Sequence, residues 1–331
     1  MKVNQNQSRP IKLIYNPNAG KKRKIIGGKS ITITDIKILF EQYQIPVDIF
    51  ETKGPGDAMT LAQEAAKEKY DVVVAAGGDG TVSEVASGLV GTSIVLGILP
   101  LGSFMNTVKM LAIPHDIEKA VMLLRINRRR KIDVGQITML SGLKPNAPLY
   151  FLENSSVGIE AEMMDSALMA EKGKYKDFFR SLKSLFEYYR HRVKIVMDDK
   201  KIERKITMVA VSNGQFTGVA LEMAPKARLN DHKLTISVFE MSKRELIYYF
   251  LRMLKTGKTS SPKISRYKSS KVKIYTRIPK PVHADGQVFG RTPVEYKILP
   301  NALEVITGFP ESNGSNLEKR TTLDPWYNYI V

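Results

Sequence analysis

Val72-Val73-Val74-Ala75-Ala76-Gly77-Gly78-Asp79-Gly80-Thr81 is the stretch on which the fold turns. Its first half is a short unbroken apolar run, the pattern of a strand covered on both faces. Three glycines follow, and Val82 to Val90 then carries a helical pattern. The segment therefore reads as buried strand, glycine turn and helix. Glycine allows left-handed dihedrals and close approach of a ligand, and the first free N–H groups of the helix offer a seat for an anion, most naturally a polyphosphate. The spacing matches neither GxGxxG nor GxxxxGK[ST]. An ordinary tight strand-to-helix turn uses the same residues, so the rest of the chain must decide between the two readings.

Two further segments repeat the arrangement. Ile11 to Tyr15 runs into Asn16-Pro17-Asn18-Ala19-Gly20, and Ile94 to Leu99 runs into Pro100-Leu101-Gly102-Ser103, with Asn106 just beyond. In an open parallel sheet such loops gather outside the carboxyl ends of the strands, where ligands bind. Strands at Ile11 to Tyr15, Val47 to Glu51, Asp71 to Ala76 and Ile94 to Leu99 alternate with helices at Ile33 to Tyr43, Ala58 to Lys69, Val82 to Val90 and Ile117 to Arg125. That alternation predicts an α/β domain with a parallel sheet and helices on both faces, three layers in all. From Lys131 onward β-rich segments dominate: Ile132 to Thr138, Tyr150 to Val157, Arg192 to Met197, Ile206 to Ser212, Leu234 to Phe239, Lys271 to Thr276 and Val294 to Ile298. These predict a second, mainly antiparallel β-sandwich domain. The expected division is a flexible stretch at 1–10, a nucleotide-binding domain at 11–135, a β-sandwich domain at 136–300 and a terminal segment at 301–331.

Composition narrows the function classes. With 331 residues and 43% apolar content the chain can fill two cores. It has no cysteine, which excludes disulfides, thiolate zinc sites and a cysteine nucleophile, and four scattered histidines argue against a transition-metal cluster. The N-terminal MKVNQNQSRP lacks the apolar core of a signal peptide, and no stretch approaches the roughly 18 to 20 apolar residues of a membrane span. A cytoplasmic protein, peripheral to the inner face of a membrane, is expected. The net charge of +18, from 51 basic against 33 acidic side chains, favours an anionic partner. No zinc-finger spacing, RNP-type aromatic run or recognition helix supports specific nucleic-acid binding. An anionic membrane surface fits better, where each clustered Lys or Arg contributes about 1 kcal/mol. The sequence leaves a homodimer open.

Two amphipathic segments bear on that surface. In Lys172 to Arg192, Phe178, Leu182, Leu185 and Tyr189 recur at helical spacing among Lys174, Lys176, Arg180, Lys183 and Arg190. Leu246 to Leu254, with Tyr248, Tyr249 and Phe250, is similar, and a basic run from Lys255 to Lys273 follows it. Packing of the apolar stripe on the sheet below is the expected role, with the charges free to meet a membrane. Trp326, Tyr327 and Tyr329 in the tail suit an interface or a docked tail equally.

The order of motifs resembles the diacylglycerol kinase catalytic family, which includes bacterial lipid kinases and the sphingosine and ceramide kinases. The matching residues are NPNAG at 16–20, Thr52, GGDGTVSE at 77–84, LPLGS at 99–103, AIP at 112–114, MAPKARLND at 223–231, ADGQVFGRTP at 284–293 and PNALEVI at 300–306. NAD kinases and phosphofructokinases share the GGDG turn but not the closing pattern, and form the alternative within the enzyme class. The resemblance implies an ATP-dependent lipid kinase whose last residues, near Leu303, return toward the first domain. It implies a nucleotide site of Asn16, Thr52, Gly77, Gly78, Asp79, Gly80, Thr81, Val82, Ser83, Glu84 and Ser103, with Asp79 reaching Mg²⁺ directly or through water. It further implies a second Mg²⁺ site in the loop of Arg228, Asp231 and Lys233, held by one carboxylate and neighbouring backbone carbonyls, and catalytic roles for Asp285 and Gln287 toward the acceptor hydroxyl. Asp79 also suits a helix cap, and Asp285-Gly286 an ordinary hairpin turn.

Three departures matter. The family usually places a glutamate general base where this chain has Gln287, and an amide cannot take the proton. General-base help is typically about 10² to 10⁴ in rate, whereas phosphoryl transfer rests mainly on positioning and electrostatics. His232 stands where glycine is common, and Gly102-Ser103-Phe104-Met105-Asn106-Thr107 lacks the family's aspartate. An active lipid kinase with weakened or relocated base chemistry, and a nucleotide- or lipid-binding relative without catalysis, are the two resulting functions.

Overall fold

Hydrophobic runs too short for helices, each ending in glycine, proline or asparagine, lay down four parallel strands. In the computed structural model, which describes residues 10–19, 31–68, 70–102, 104–141, 148–159, 190–217, 221–256 and 260–309, these are β1 (Ile11–Tyr15), β2 (Val47–Glu51), β3 (Val72–Gly77) and β4 (Val95–Pro100). Between and after them lie helices α1 (Ile33–Gln42), α2 (Asp57–Lys67), α3 (Asp79–Leu89), the short α4 (Asn106–Met110) and α5 (Ile117–Ile126). The strands run parallel in the order β2-β1-β3-β4. β1, β3 and β4 are buried along their whole length, whereas β2, at the edge, is only partly covered. Local chemistry sets the helix ends. Thr32 and Asp35 form a capping box at α1, and Asp116 caps α5 by accepting from Lys119 N. Helices α2 and α3 meet through small residues: a Cβ on Gly88 would stand 2.6 Å from Met59 O and 2.8 Å from Ala62 Cβ.

The chain divides into two compact units, Met1–Lys131 with Leu303–Val331, and Ile132–Ala302. The second unit is built from antiparallel strands. One of its sheets uses β7 (Asn154–Gly158), β10 (Met208–Ser212), β13 (Leu234–Phe239), β14 (Ile264–Ser269), β16 (Pro281–Ala284) and β17 (Gln287–Arg291), in the order β14-β13-β10-β7-β16-β17. The other places β15 (Lys271–Thr276) between β18 (Val294–Ile306) and β8 (His191–Met197), with β9 (Lys201–Ile206) outermost. β5 (Arg129–Met139) pairs with β6 (Leu149–Phe151), and β11 (Phe216–Thr217) with β12 (Leu221–Glu222). Alternating side chains fill the space between the two sheets, among them Val211, Ile236 and Val282 from one and Ile195, Ile274 and Tyr296 from the other. On its far side the first sheet is covered by α6 (Lys243–Thr256), whose Leu246, Tyr249 and Met253 pack with Met208, Ala210 and Phe239. The expected α/β domain with a mainly antiparallel β-sandwich domain is the fold observed.

Several boundaries differ from expectation for local reasons. Helix α3 begins at Asp79, three residues before the expected Val82, because its first turn is recruited from the glycine motif itself. Tyr150 to Val157 is two strands, β6 and β7, with Leu152 and Glu153 bending between them. β18 runs on past Ile298 although Pro300 and Asn301 read as a stop. Asn301 takes a left-handed φ of +51° there and donates its N–H to the buried Asp133 carboxylate at 2.9 Å. In α6 the apolar stripe packs inward, leaving Tyr248 and Leu251 exposed. The segment Lys172 to Arg192 falls outside the described residues up to 189, as do Trp326, Tyr327 and Tyr329. Among the described residues no helix is long and apolar enough to cross a membrane.

Candidate functional site

In the first unit the loops that leave β1, β2, β3 and β4 at their carboxyl ends are tied together. Asn16 donates its backbone N–H to Ala76 O at 2.9 Å, and its Nδ2 donates to Thr81 Oγ1 at 2.9 Å. Its Oδ1 accepts Asn18 N, closing the NPNAG turn on itself. Thr52 N donates to Tyr15 O at 2.9 Å, and Leu101 N to Gly77 O at 3.0 Å. Glu84, on α3, accepts the N–H of Gly56, whose left-handed φ of +84° opens α2. Six of the expected nucleotide-site positions, Asn16, Thr52, Gly77, Gly78, Thr81 and Glu84, therefore share this one set of loops. Asp79, Gly80, Val82 and Ser83 lie on the first turn and a half of α3. Ser103 lies outside the described residues.

The glycines serve close approach and not left-handed backbone, which corrects the sequence expectation. Gly78 sits at φ −90°, ψ −176°, an extended conformation open to any residue, and none of Gly77, Gly78 and Gly80 has positive φ. What forbids a side chain is space. A Cβ on Gly77 would lie 2.5 Å from Thr81 Cβ, and one on Gly102 would lie 2.7 Å from Gly78 Cα and from Met105 Sδ. The β3–α3 and β4–α4 loops thus touch backbone on backbone. Gly80 faces open space, with nothing within 4 Å of the place a Cβ would take. Gly78 is the N-cap of α3 and offers no capping side chain, so Asp79 is the first helical residue instead of the expected cap. A carboxylate-bearing first turn, whose opening N–H groups have no partner within the helix, lies beside the Asn16–Thr81 hydrogen bond and can receive phosphate oxygens and one magnesium-bound edge of a polyphosphate.

In the second unit Asp285-Gly286 forms the turn between β16 and β17, with φ of +41° and +83°. The Asp285 carboxylate accepts three backbone N–H groups, from Leu152 at 2.7 Å and from Glu153 and Asn154 at 3.1 Å. It clamps the β6–β7 bend to the turn. Gly286 N donates to Nε2 of His283 at 3.0 Å. That contact fixes the neutral tautomer with the proton on Nδ1, and burial pushes the imidazole pKa down to about 4. Gln287 opens β17, half-buried, opposite Ala284.

The loop carrying Arg228, Asp231 and Lys233 is organised by a residue that sequence reading passed over. Asp133, fully buried, accepts His232 N at 2.7 Å, contacts His232 Nδ1 at 3.0 Å and accepts Asn301 N. Its own N–H donates to Leu229 O. The signal was a lone aspartate between Ile132 and Val134 in an apolar strand. His232 keeps the left-handed backbone that glycine would favour, at φ +59°, and its side chain is what holds it there. Asp231 meanwhile accepts Lys233 N and pairs with Lys268 Nζ at 2.5 Å. The Asp231 carboxylate, the one acidic side chain of the expected Mg²⁺ site, is thus paired with an ammonium, and no group of three acidic or histidine side chains that could hold a metal is found among the described residues.

The diacylglycerol kinase catalytic domain matches residues 10–137, and the YegS C-terminal NAD kinase beta sandwich-like domain matches residues 155–307. The diacylglycerol kinase of Bacillus subtilis is 26% identical over 314 residues, covering 93% of this chain and 98% of that protein. That of Staphylococcus saprophyticus is 24% identical over 305 residues, covering 89% and 94%. A crystal structure of a diacylglycerol kinase from Bacillus anthracis superposes with a TM-score of 0.66 at 24% identity, over 90% of this chain and 97% of that one. Yeast NADH kinase complexed with NADH shares the fold at a TM-score of 0.53 and 12% identity, over 95% of this chain and 90% of that one. Matched in both units, the chain belongs to the diacylglycerol kinase family of enzymes.

Proposed function

We propose that this protein transfers the γ-phosphoryl group of ATP to the hydroxyl of diacylglycerol or a related lipid alcohol. The observation that carries the reading is the close approach of the β3–α3 and β4–α4 loops at Gly78 and Gly102, beside the Asn16–Thr81 hydrogen bond and the open space at the exposed Gly80 in the first turn of α3. ATP arrives as its magnesium complex. Magnesium so presented needs only one or two protein carboxylates, since phosphates and water fill its other positions, and Asp79 is the carboxylate of this loop. Transfer through a loose transition state asks the protein for positioning and charge stabilisation above all. The α3 N–H groups serve the phosphates, and the Asp285-Gly286-Gln287 turn serves the acceptor hydroxyl, where Gln287 can hydrogen-bond and orient it but cannot remove its proton.

A second reading, a nucleotide- or lipid-binding relative without catalysis, draws support from that same turn. Gln287 is no base, and both oxygens of Asp285 are engaged by backbone N–H groups. The test is ATP-dependent phosphorylation of a panel of lipid alcohols, diacylglycerol, sphingoid bases and isoprenoid alcohols, in neutral mixed micelles. Formation of phosphorylated lipid supports the kinase. ATP binding with no transfer to any acceptor replaces it with the binding protein.

A further inference from the structure

The outward face of β18, β15, β8 and β9 carries charge that the fold does not explain. On these strands Val193, Ile195, Val272, Ile274, Val294 and Tyr296 point into the sandwich core. Their alternate neighbours point out. Arg192 stands directly opposite Lys205 across β8–β9, and Lys271 directly opposite Lys297 across β15–β18. Like charges facing each other in an antiparallel sheet destabilise it. Acidic relief is sparse on this face: Glu203 opposes Lys194, and Glu295 accepts from both Lys271 and Lys273 at 3.2 Å. Arg192, Lys194, Tyr275 and Arg277 line an open depression of about 670 Å³ together with Glu203 and Thr276, and Lys194 Nζ lies 5.5 Å from the Tyr275 ring centroid. At the rim, directly after Arg277, Ile278 is 66% exposed.

We propose that this face docks an anionic phospholipid bilayer, with Arg192, Lys194 and Arg277 receiving headgroup phosphates and Ile278 entering the acyl boundary. Two independent features select a bilayer. An open, shallow basic sheet face suits the phosphates of an anionic surface, and an exposed isoleucine beside it has a use in lipid that it lacks against a polyanion in water. The choice of a bilayer over other anionic surfaces rests on the lipid-kinase reading. Among the described residues this face carries no aromatic stacking row of the kind that single-stranded nucleic acid needs, and Tyr275 is the one aromatic among the outward residues of β15.

Sedimentation with sucrose-loaded vesicles tests it, using vesicles with about one-third phosphatidylglycerol and vesicles of phosphatidylcholine alone. Each cation near an anionic surface adds roughly fivefold to partitioning, so the triple variant Arg192→Gln, Lys194→Gln, Arg277→Gln should bind anionic vesicles about 10²-fold more weakly at 0.1 M salt. Ile278→Ser should weaken binding about tenfold and leave its salt dependence unchanged. A control triple elsewhere, Lys37→Gln on α1, Lys67→Gln on α2 and Arg244→Gln on α6, should change little. Equal losses in the two triples, or no loss in the first, overturn the proposal. So does tighter binding of a 30-nucleotide single strand than of any vesicle, abolished by the first triple. Thermal unfolding confirms that the variants fold. Phosphorylation of the lipid alcohols of the neutral-micelle panel, which should survive the first triple, reads the kinase separately: failure of wild type with every acceptor refutes the function, and vesicle binding that the first triple leaves intact refutes the docking face.

Discussion

Gly80 and Gly102 separate a glycine that packing requires from one that a ligand requires. A methyl on Gly102 would press on Gly78 backbone, so Gly102→Ala must shift one loop against the other and should lower ATP affinity at least tenfold together with stability. Gly80 has open space and ordinary helical backbone, so Gly80→Ala should raise the stability of the free protein by up to about 1 kcal/mol through helix propensity. If phosphates rest on the first turn of α3, that same variant should bind ATP more weakly. Isothermal titration beside urea denaturation measures both, and undiminished ATP affinity in Gly80→Ala would remove the turn from the site. Gln287 is the other decisive residue. If Gln287 orients the acceptor hydroxyl as proposed, Gln287→Glu puts a carboxylate of equal reach beside the departing proton, and lipid phosphorylation should rise by up to about 10². ATP affinity measured beside it separates a gain in the transfer step from a change in nucleotide binding. A fast wild type that the change fails to improve would mean that the hydroxyl needs no base from this position.

At the scale of the element, the β16–β17 hairpin is poised on a neutral histidine. His283 is buried and its pKa is depressed to about 4, below the usual value near 6.5. The unfolded chain therefore binds a proton before the folded one does. Stability from this group is fully present above pH 6.5 and is lost as pH falls toward 4, by about 2–3 kcal/mol at pH 4.5. His283→Gln removes the titration, so the drop in unfolding free energy between pH 7 and pH 4.5 should shrink by that amount relative to wild type. An unchanged drop would place the acid sensitivity elsewhere. The edge strand β9 is protected differently: its outward Lys201, Glu203 and Lys205, with Arg204 on the other side, obstruct pairing with another chain.

For the whole molecule, β18 is the piece of chain that makes the first unit discontinuous in sequence. Its Glu304 and Val305 pair in parallel with Val95 and Leu96 of β4, and Leu303, Val305 and Ile306 are almost wholly buried. Thr307 N donates to Arg128 O, and Gly308 N to Leu111 O, where a Cβ would collide with Ala112 O. A chain ended after Ala302 should therefore lose β4's outer partner and fail to fold its first unit, read by loss of ATP binding and of the cooperative thermal transition. Retention of both would mean that the unit closes without this strand. By itself the sequence determined the βα alternation, the turn to antiparallel strands after Lys131, and the hairpin at Asp285-Gly286, because apolar periodicity and glycine placement are local properties. It also marked the glycine motifs that end β3 and β4. Only the tertiary structure decided that Gly78 rests on Gly102, that Asp285 clamps the β6–β7 bend, that Asp133 holds His232 and Asn301 in left-handed backbone, and that Lys268 pairs with Asp231. Each of these joins residues from 24 to 168 positions apart, and a carboxylate or a glycine carries no sign in the sequence of which distant backbone will come to meet it.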